Sequence, residues 1–100
     1  MPIQPQTILT KSPDVLSCPI KGGLAMMDVQ SGNYYGLDDI EVEAWELIDG
    51  QRTLAEICDL LIKNYDVSHE QCWKDIFTWV GQLAKNKLVT TEKPLQINIK

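Results

Sequence analysis

The chain is short of the residues on which catalysis and metal binding usually rest. Its 100 residues contain one histidine, His69, and one arginine, Arg52. Cysteine occurs three times, at Cys18, Cys58 and Cys72, an odd number with wide gaps and no Cys-x-x-Cys. That spacing argues against a disulfide framework and against a zinc knuckle. His69 and Cys72 stand one helical turn apart, but a structural zinc site wants four ligands and a catalytic one usually three. The same pair has no third group to orient a base, so it makes a poor nucleophile couple. No glycine-rich phosphate loop is present, since Gly22-Gly23 reads as a turn pair between strands. We expect no catalytic residue, no metal and no cofactor, and hence not an enzyme.

Basic charge is also scarce. Nine lysine and arginine residues face fourteen aspartates and glutamates, for a net charge of -5. A duplex-DNA binder draws its affinity largely from neutralising phosphates, so this balance argues against one. No apolar run approaches the ~18 residues needed to span a bilayer. The amino terminus, MPIQPQTILTKSPDV, lacks the basic-then-apolar layout of a secretory signal. A cytoplasmic protein with neither a membrane nor a nucleic-acid partner is expected.

What is present is one domain's worth of alternating and helical pattern. Residues 1–14 carry Pro2, Pro5 and Pro13 and read as an extended arm, with a short edge strand at 7–10. Val15 to Cys18 is a strand stopped by Pro19, and Leu24 to Val29 is a second. Ser31-Gly32 makes a hairpin to a third, Asn33 to Leu37. Helices follow. Asp38 with Glu41 has capping-box spacing, and Ile40, Ala44, Trp45 and Ile48 mark the apolar stripe, with Gly50 as a C-terminal cap. Thr53 to Glu56 opens a second helix after a link of about three residues, as in a helix-turn-helix. Arg52 in that link is placed to cap the first helix. Ser68 caps a third helix running to about Asn86. Three strands and then three helices read as α+β: a three-stranded antiparallel sheet on a three-helix unit, winged-helix-like in shape. The domain spans 15–92, and 93–100 is expected to be a flexible tail.

Two surfaces stand out. The third helix has an apolar arc of roughly 160°, at ~100° per residue. One edge carries Trp73, Phe77, Val80 and Ala84; the other carries Cys72, Ile76, Trp79 and Leu83. One stripe suffices for a core, which leaves the stripe with Trp79 as extra core or a binding groove. The third strand is the edge of a meander, with no lysine or proline to blunt it. An open edge beside an apolar helix is a receptor for an extended peptide. Tyr34 and Tyr35 must point to opposite faces. We assign Tyr35 and Leu37 inward and Tyr34 outward. In the second strand a charged Asp28 implies Leu24 and Met26 outward, with Ala25, Met27 and Val29 inward.

From Ser12 to Val89 the sequence resembles the PqqD-like proteins, the precursor-peptide recognition elements of ribosomally made, modified peptides (RiPPs). The segments SGNYYGLDDI, AWELIDGQRTLAEI, the NYDV step and the closing Leu83, Leu88 and Val89 carry the resemblance by their order and spacing. It departs at Asp38-Asp39, where many relatives have asparagine, although both residue types cap helices. The resemblance implies a winged-helix-like domain that binds a precursor's leader segment as an added strand and does no chemistry. It is strongest to the stand-alone leader-binding protein of lasso-peptide pathways, whose partners are the precursor leader and a leader peptidase or other maturation enzyme. Carried over, the peptide-binding residues are Asn33, Tyr34, Tyr35, Gly36 and Leu37 on the strand, and Ile76, Trp79, Val80 and Leu83 on the helix. The rival readings are a winged-helix nucleic-acid binder, marked by steep salt dependence, and an oligomerisation module pairing through the same edge.

Overall fold

The computed structural model describes residues 3–92. Three consecutive strands, β2 (Val15–Ile20), β3 (Gly23–Asp28) and β4 (Tyr34–Leu37), form an antiparallel sheet in the order β2-β3-β4. Lys21-Gly22 and residues 29–33 make the two turns. Pro19 does not stop β2, which runs on to Ile20. The carbonyl of Asp14 accepts the N–H of Val29, so the bonded pairs along β2 alternate from there and Pro19 falls on a non-bonded pair with Leu24. Its missing N–H would have faced the solvent, where an edge strand tolerates proline. Gly23 is required by close approach: a Cβ there would collide with the Leu37 carbonyl across the ladder.

The β3 parity is the reverse of the expected one. Leu24, Met26 and Asp28 are buried, whereas Val29 is 51% exposed. Asp28 tolerates burial because the hairpin satisfies its carboxylate. It accepts the Gln30 N–H at 3.2 Å and the Ser31 hydroxyl at 2.9 Å. A hydrogen-bonded carboxylate costs less to bury than a bare one, so Asp28 closes the turn instead of turning the strand over.

Three helices follow: α1 (Asp39–Leu47), α2 (Leu54–Asn64) and α3 (His69–Lys85). Asp38, Thr53 and Ser68 are their N-caps, and the capping boxes with Glu41 and Glu56 both form. The α1–α2 link is longer than expected, spanning residues 48–53, because Ile48 already leaves α1 in an extended conformation. The Asp49 carboxylate organises the link by accepting the N–H groups of Gln51 and Arg52. Arg52 in turn reaches back to the Leu47 carbonyl at 3.3 Å and to Asp49 at 3.0 Å, as a C-terminal cap. Gly50 adopts φ +77, and its N–H bonds the Leu9 carbonyl. It therefore serves the link and the arm, not the helix end.

The arm is stitched into the domain. A strand β1 (Ile8–Lys11) pairs antiparallel with β5 (Val89–Glu92), which leaves α3. Backbone bonds from Leu54 to Thr7 and from Ala55 to Pro5 fasten it to the start of α2. Leu9 is 1% exposed and belongs to the core with Trp45, Leu54, Ile57 and Leu88. The expected tail, 93–100, lies outside the described residues.

Cys58 and Cys72 are buried between α2 and α3, and Cys18 is exposed. Burial, followed by the neighbouring Cys72, pushes the Cys58 thiol up to about 12, from an ordinary 9.0. Burial also raises Cys72. A thiol whose folded pKa is raised stabilises the fold fully below its unfolded pKa, and that contribution is lost as pH climbs through the folded value. Denaturant midpoints are expected to fall between pH 9 and about 12. At pH 8 an alkylating reagent is expected to label Cys18 alone, since the thiolate is the reactive form; rapid labelling of Cys58 would contradict this burial.

Candidate functional site

β4 has one strand neighbour, β3, among the described residues, so its other side is open. Its hydrogen-bonding sense follows from the hairpin. The N–H of Asp28 bonds the Asn33 carbonyl, making that pair a bonded one. Bonded and non-bonded pairs then alternate along the antiparallel ladder. Tyr35 and Leu37 bond inward to Met26 and Leu24, while the N–H and C=O of Tyr34 and Gly36 face the open edge. Four main-chain groups thus stand in a row with no partner across the edge among the described residues. The opposite edge of the sheet, β2, carries Pro19; β4 carries neither proline nor charge.

The tyrosines divide as expected. Tyr35 is half-buried and packs on the core beside Met26; Tyr34 is 76% exposed and in register with Met27 and Leu16 on the outer face. Asn33 sits in the turn, one residue before the strand, with its carbonyl already engaged.

α3 lies beside this edge. The middle of its apolar arc is core: Cys72, Ile76, Val80 and Leu83 are each buried. The margins are partly open, with Trp79 on one side and Phe77, 45% exposed, on the other. The core stripe therefore takes members from both predicted edges. Phe77 instead packs against Trp73, with centroids 6.1 Å apart and the rings tilted by 56°. Two clefts flank Trp79. The smaller, about 110 Å³, lies between β4 and α3 and is lined by Tyr35, Gly36, Leu37, Leu83 and Leu88. The larger, about 450 Å³, lies between α1, the end of α2 and α3, with Ile40, Ala44, Leu61 and Ile76 among its walls. Trp79 and Glu41 line both, so the two clefts are neighbours that share these walls. Trp79 faces both, Ile76 the larger and Leu83 the smaller. Val80 has no exposed surface and lines neither cleft, so it supports them from behind.

Ile40, on the apolar stripe of α1, is 49% exposed, because the first turn of α1 overhangs the larger cleft. Tyr65 and Val67, on the α2–α3 connection, also line it, beyond the site residues the sequence singles out. The sequence signal for them is the NYDV step, with apolar groups alternating around an aspartate. Among the described residues no three potential ligands come close enough to hold a metal, and no helix is long and apolar enough to cross a membrane.

A three-stranded sheet on three helices, with one open edge against an apolar helix margin, makes a winged-helix-like domain. The model of the family described as coenzyme PQQ synthesis protein D (PqqD) matches residues 23–89. The chain belongs to the PqqD family. Among solved structures it is similar to TbiB1 in complex with the TbiA(beta) leader peptide, with a TM-score of 0.73 and 26% identity, covering 79% of this chain and 92% of that one. Lasso peptide synthetase B1 complexed with the leader peptide gives a TM-score of 0.74 at 21% identity, covering 82% and 96%, a likeness of fold. No curated protein matches the sequence.

Proposed function

We propose that this chain captures the leader segment of a ribosomally made precursor by β-strand addition to β4. It then presents the precursor to a maturation enzyme, in the first instance the leader peptidase of a lasso-peptide pathway, and catalyses nothing itself. The observation that carries this reading is the row of outward N–H and C=O groups on Tyr34 and Gly36, set beside the smaller Trp79 cleft. Main-chain bonds supply affinity in such an arrangement, and the pockets select side chains. The likeness to TbiB1 in its leader complex supports the choice of guest.

A leader that orders on binding forfeits part of its contact energy to entropy, so a Kd between about 10 nM and a few micromolar is expected. The test is an amide titration of 15N-labelled protein with a synthetic leader peptide of a candidate precursor. Shifts are expected at 34–37 and 76–83. Shifts centred on β2 or α2, or none at all, would overturn the reading.

A further inference from the structure

The larger cleft has a one-sided electrostatic lining. Asp38, Glu41, Asp66 and Asp75 stand among its walls, and among the described residues no lysine or arginine does. The two ion pairs among the described residues, Arg52–Asp49 and His69–Asp59, involve none of these four. Asp38 and Glu41 accept each other's N–H in the capping box and Asp75 accepts from Gln71, all neutral donors that leave the negative charge in place. Tyr65 is on the same wall, and its phenol is pushed up first by a hydrogen bond to Glu43, then by burial, then by the charges of Glu43, Asp39 and Asp38, of which only Asp38 lines the cleft. Beneath the acidic rim the cleft is apolar, with Ile40, Ala44, Ile76 and Trp79 on its walls.

An apolar trough under a carboxylate rim matches a side chain with an apolar stem and a cationic head. A purely apolar guest residue would fill the trough but leave the rim's charges mutually repelling; an acidic one would add to the repulsion. Trp79 adds a ring face for a cation. Position fixes where on the guest this residue lies. The cleft begins at Asp38, directly after the end of β4, and shares Trp79 with the smaller cleft along the edge. Every pairing in the sheet is antiparallel. A guest strand added in the same sense runs against β4, so its amino-terminal flank arrives at Asp38.

Resting on the strand-addition reading, we propose that the α1–α3 cleft is a specificity pocket for a lysine or arginine on the amino-terminal side of the guest's paired segment. The cleft, more than the edge, then distinguishes one extended peptide from another.

The test is selection from a displayed library of random peptides on the intact protein, followed by binding measurements on the selected sequences. The expected result is enrichment of lysine or arginine at one position amino-terminal to a strand-forming segment, with amide shifts in 34–37. The double variant Asp66→Asn/Asp75→Asn, altered only at exposed rim positions, is expected to weaken such a peptide about fivefold, as two surface charge pairs would. It is expected to leave the same peptide with norleucine at that position unchanged. Peptides that shift β4 but show no basic enrichment, or an equal effect of the double variant on both peptides, would overturn the pocket and leave strand addition standing. Selected peptides that leave β4 unshifted, or a selection that yields none, would overturn both.

Discussion

Gly36→Pro is expected to weaken leader binding about a hundredfold while the free domain keeps its fold. The alternation along the β3–β4 ladder turns the Gly36 N–H away from β3 and towards the open edge. Proline there removes a donor that only the guest uses, and sets its ring in the guest's path. An edge strand accepts proline when the lost N–H faces outward. No atom lies within 4 Å of where a Cβ at Gly36 would be, so the substitution meets no crowding in the free domain. Leaving the guest's carbonyl without a partner costs about 1–3 kcal/mol, before any steric term, and each 1.4 kcal/mol is about tenfold. Tyr35→Pro makes the contrasting control. Its N–H bonds Met26, so that variant is expected to lose thermal stability as well. Isothermal titration with the leader, alongside melting curves, separates the two. Equal affinity in Gly36→Pro and wild type would mean that the guest does not pair with this edge.

The parts of this structure that were legible in the sequence are those settled within one or two turns of chain. Each N-cap, Asp38, Thr53 and Ser68, is a side chain bonding a backbone N–H three residues on, so a short motif contains the whole interaction. The edge was legible because an absence, of lysine and of proline, is itself a sequence property. Asp28 is legible locally only in part: its charge implies an outward side chain, yet Gln30 and Ser31, two and three residues on, satisfy its carboxylate and let it face inward. The rest of what failed depended on partners far along the chain. The β1–β5 ribbon joins the two ends of the domain, and no local period announces such a pairing. The larger cleft is assembled from α1, the α2–α3 connection and α3. Asp38 and Glu41 read as helix-start residues, but nothing in that local pattern shows that Asp66 and Asp75 line the same apolar trough. A convergent field needs the fold.

Trp79→Ala is expected to raise the leader Kd at least tenfold and to leave a folded domain. Trp79 is the largest side chain shared by the two clefts, and it sits where the strand edge meets the helix margin. Aromatic residues at the centre of an interface commonly dominate its energy, with losses of about 2 kcal/mol or more on truncation. The side chain is only partly buried in the free domain and packs against the core from its margin. The middle of the α3 stripe, Cys72, Ile76, Val80 and Leu83, stays buried without it, so the helix retains its main attachment. Trp79→Phe separates shape from chemistry. If the indole acts as an apolar wall, phenylalanine is expected to restore most of the affinity; if its face holds a cation, restoration is smaller for basic peptides than for their norleucine counterparts, because tryptophan is the better cation–π partner. Phe77→Ala supplies the comparison on the opposite margin of the same helix, exposed and packed at a tilt against Trp73 but lining neither cleft. It is expected to leave the isotherm unchanged. A loss of affinity in Phe77→Ala with none in Trp79→Ala would move the site to the other side of α3, and an unchanged isotherm in both would take this helix out of the interface.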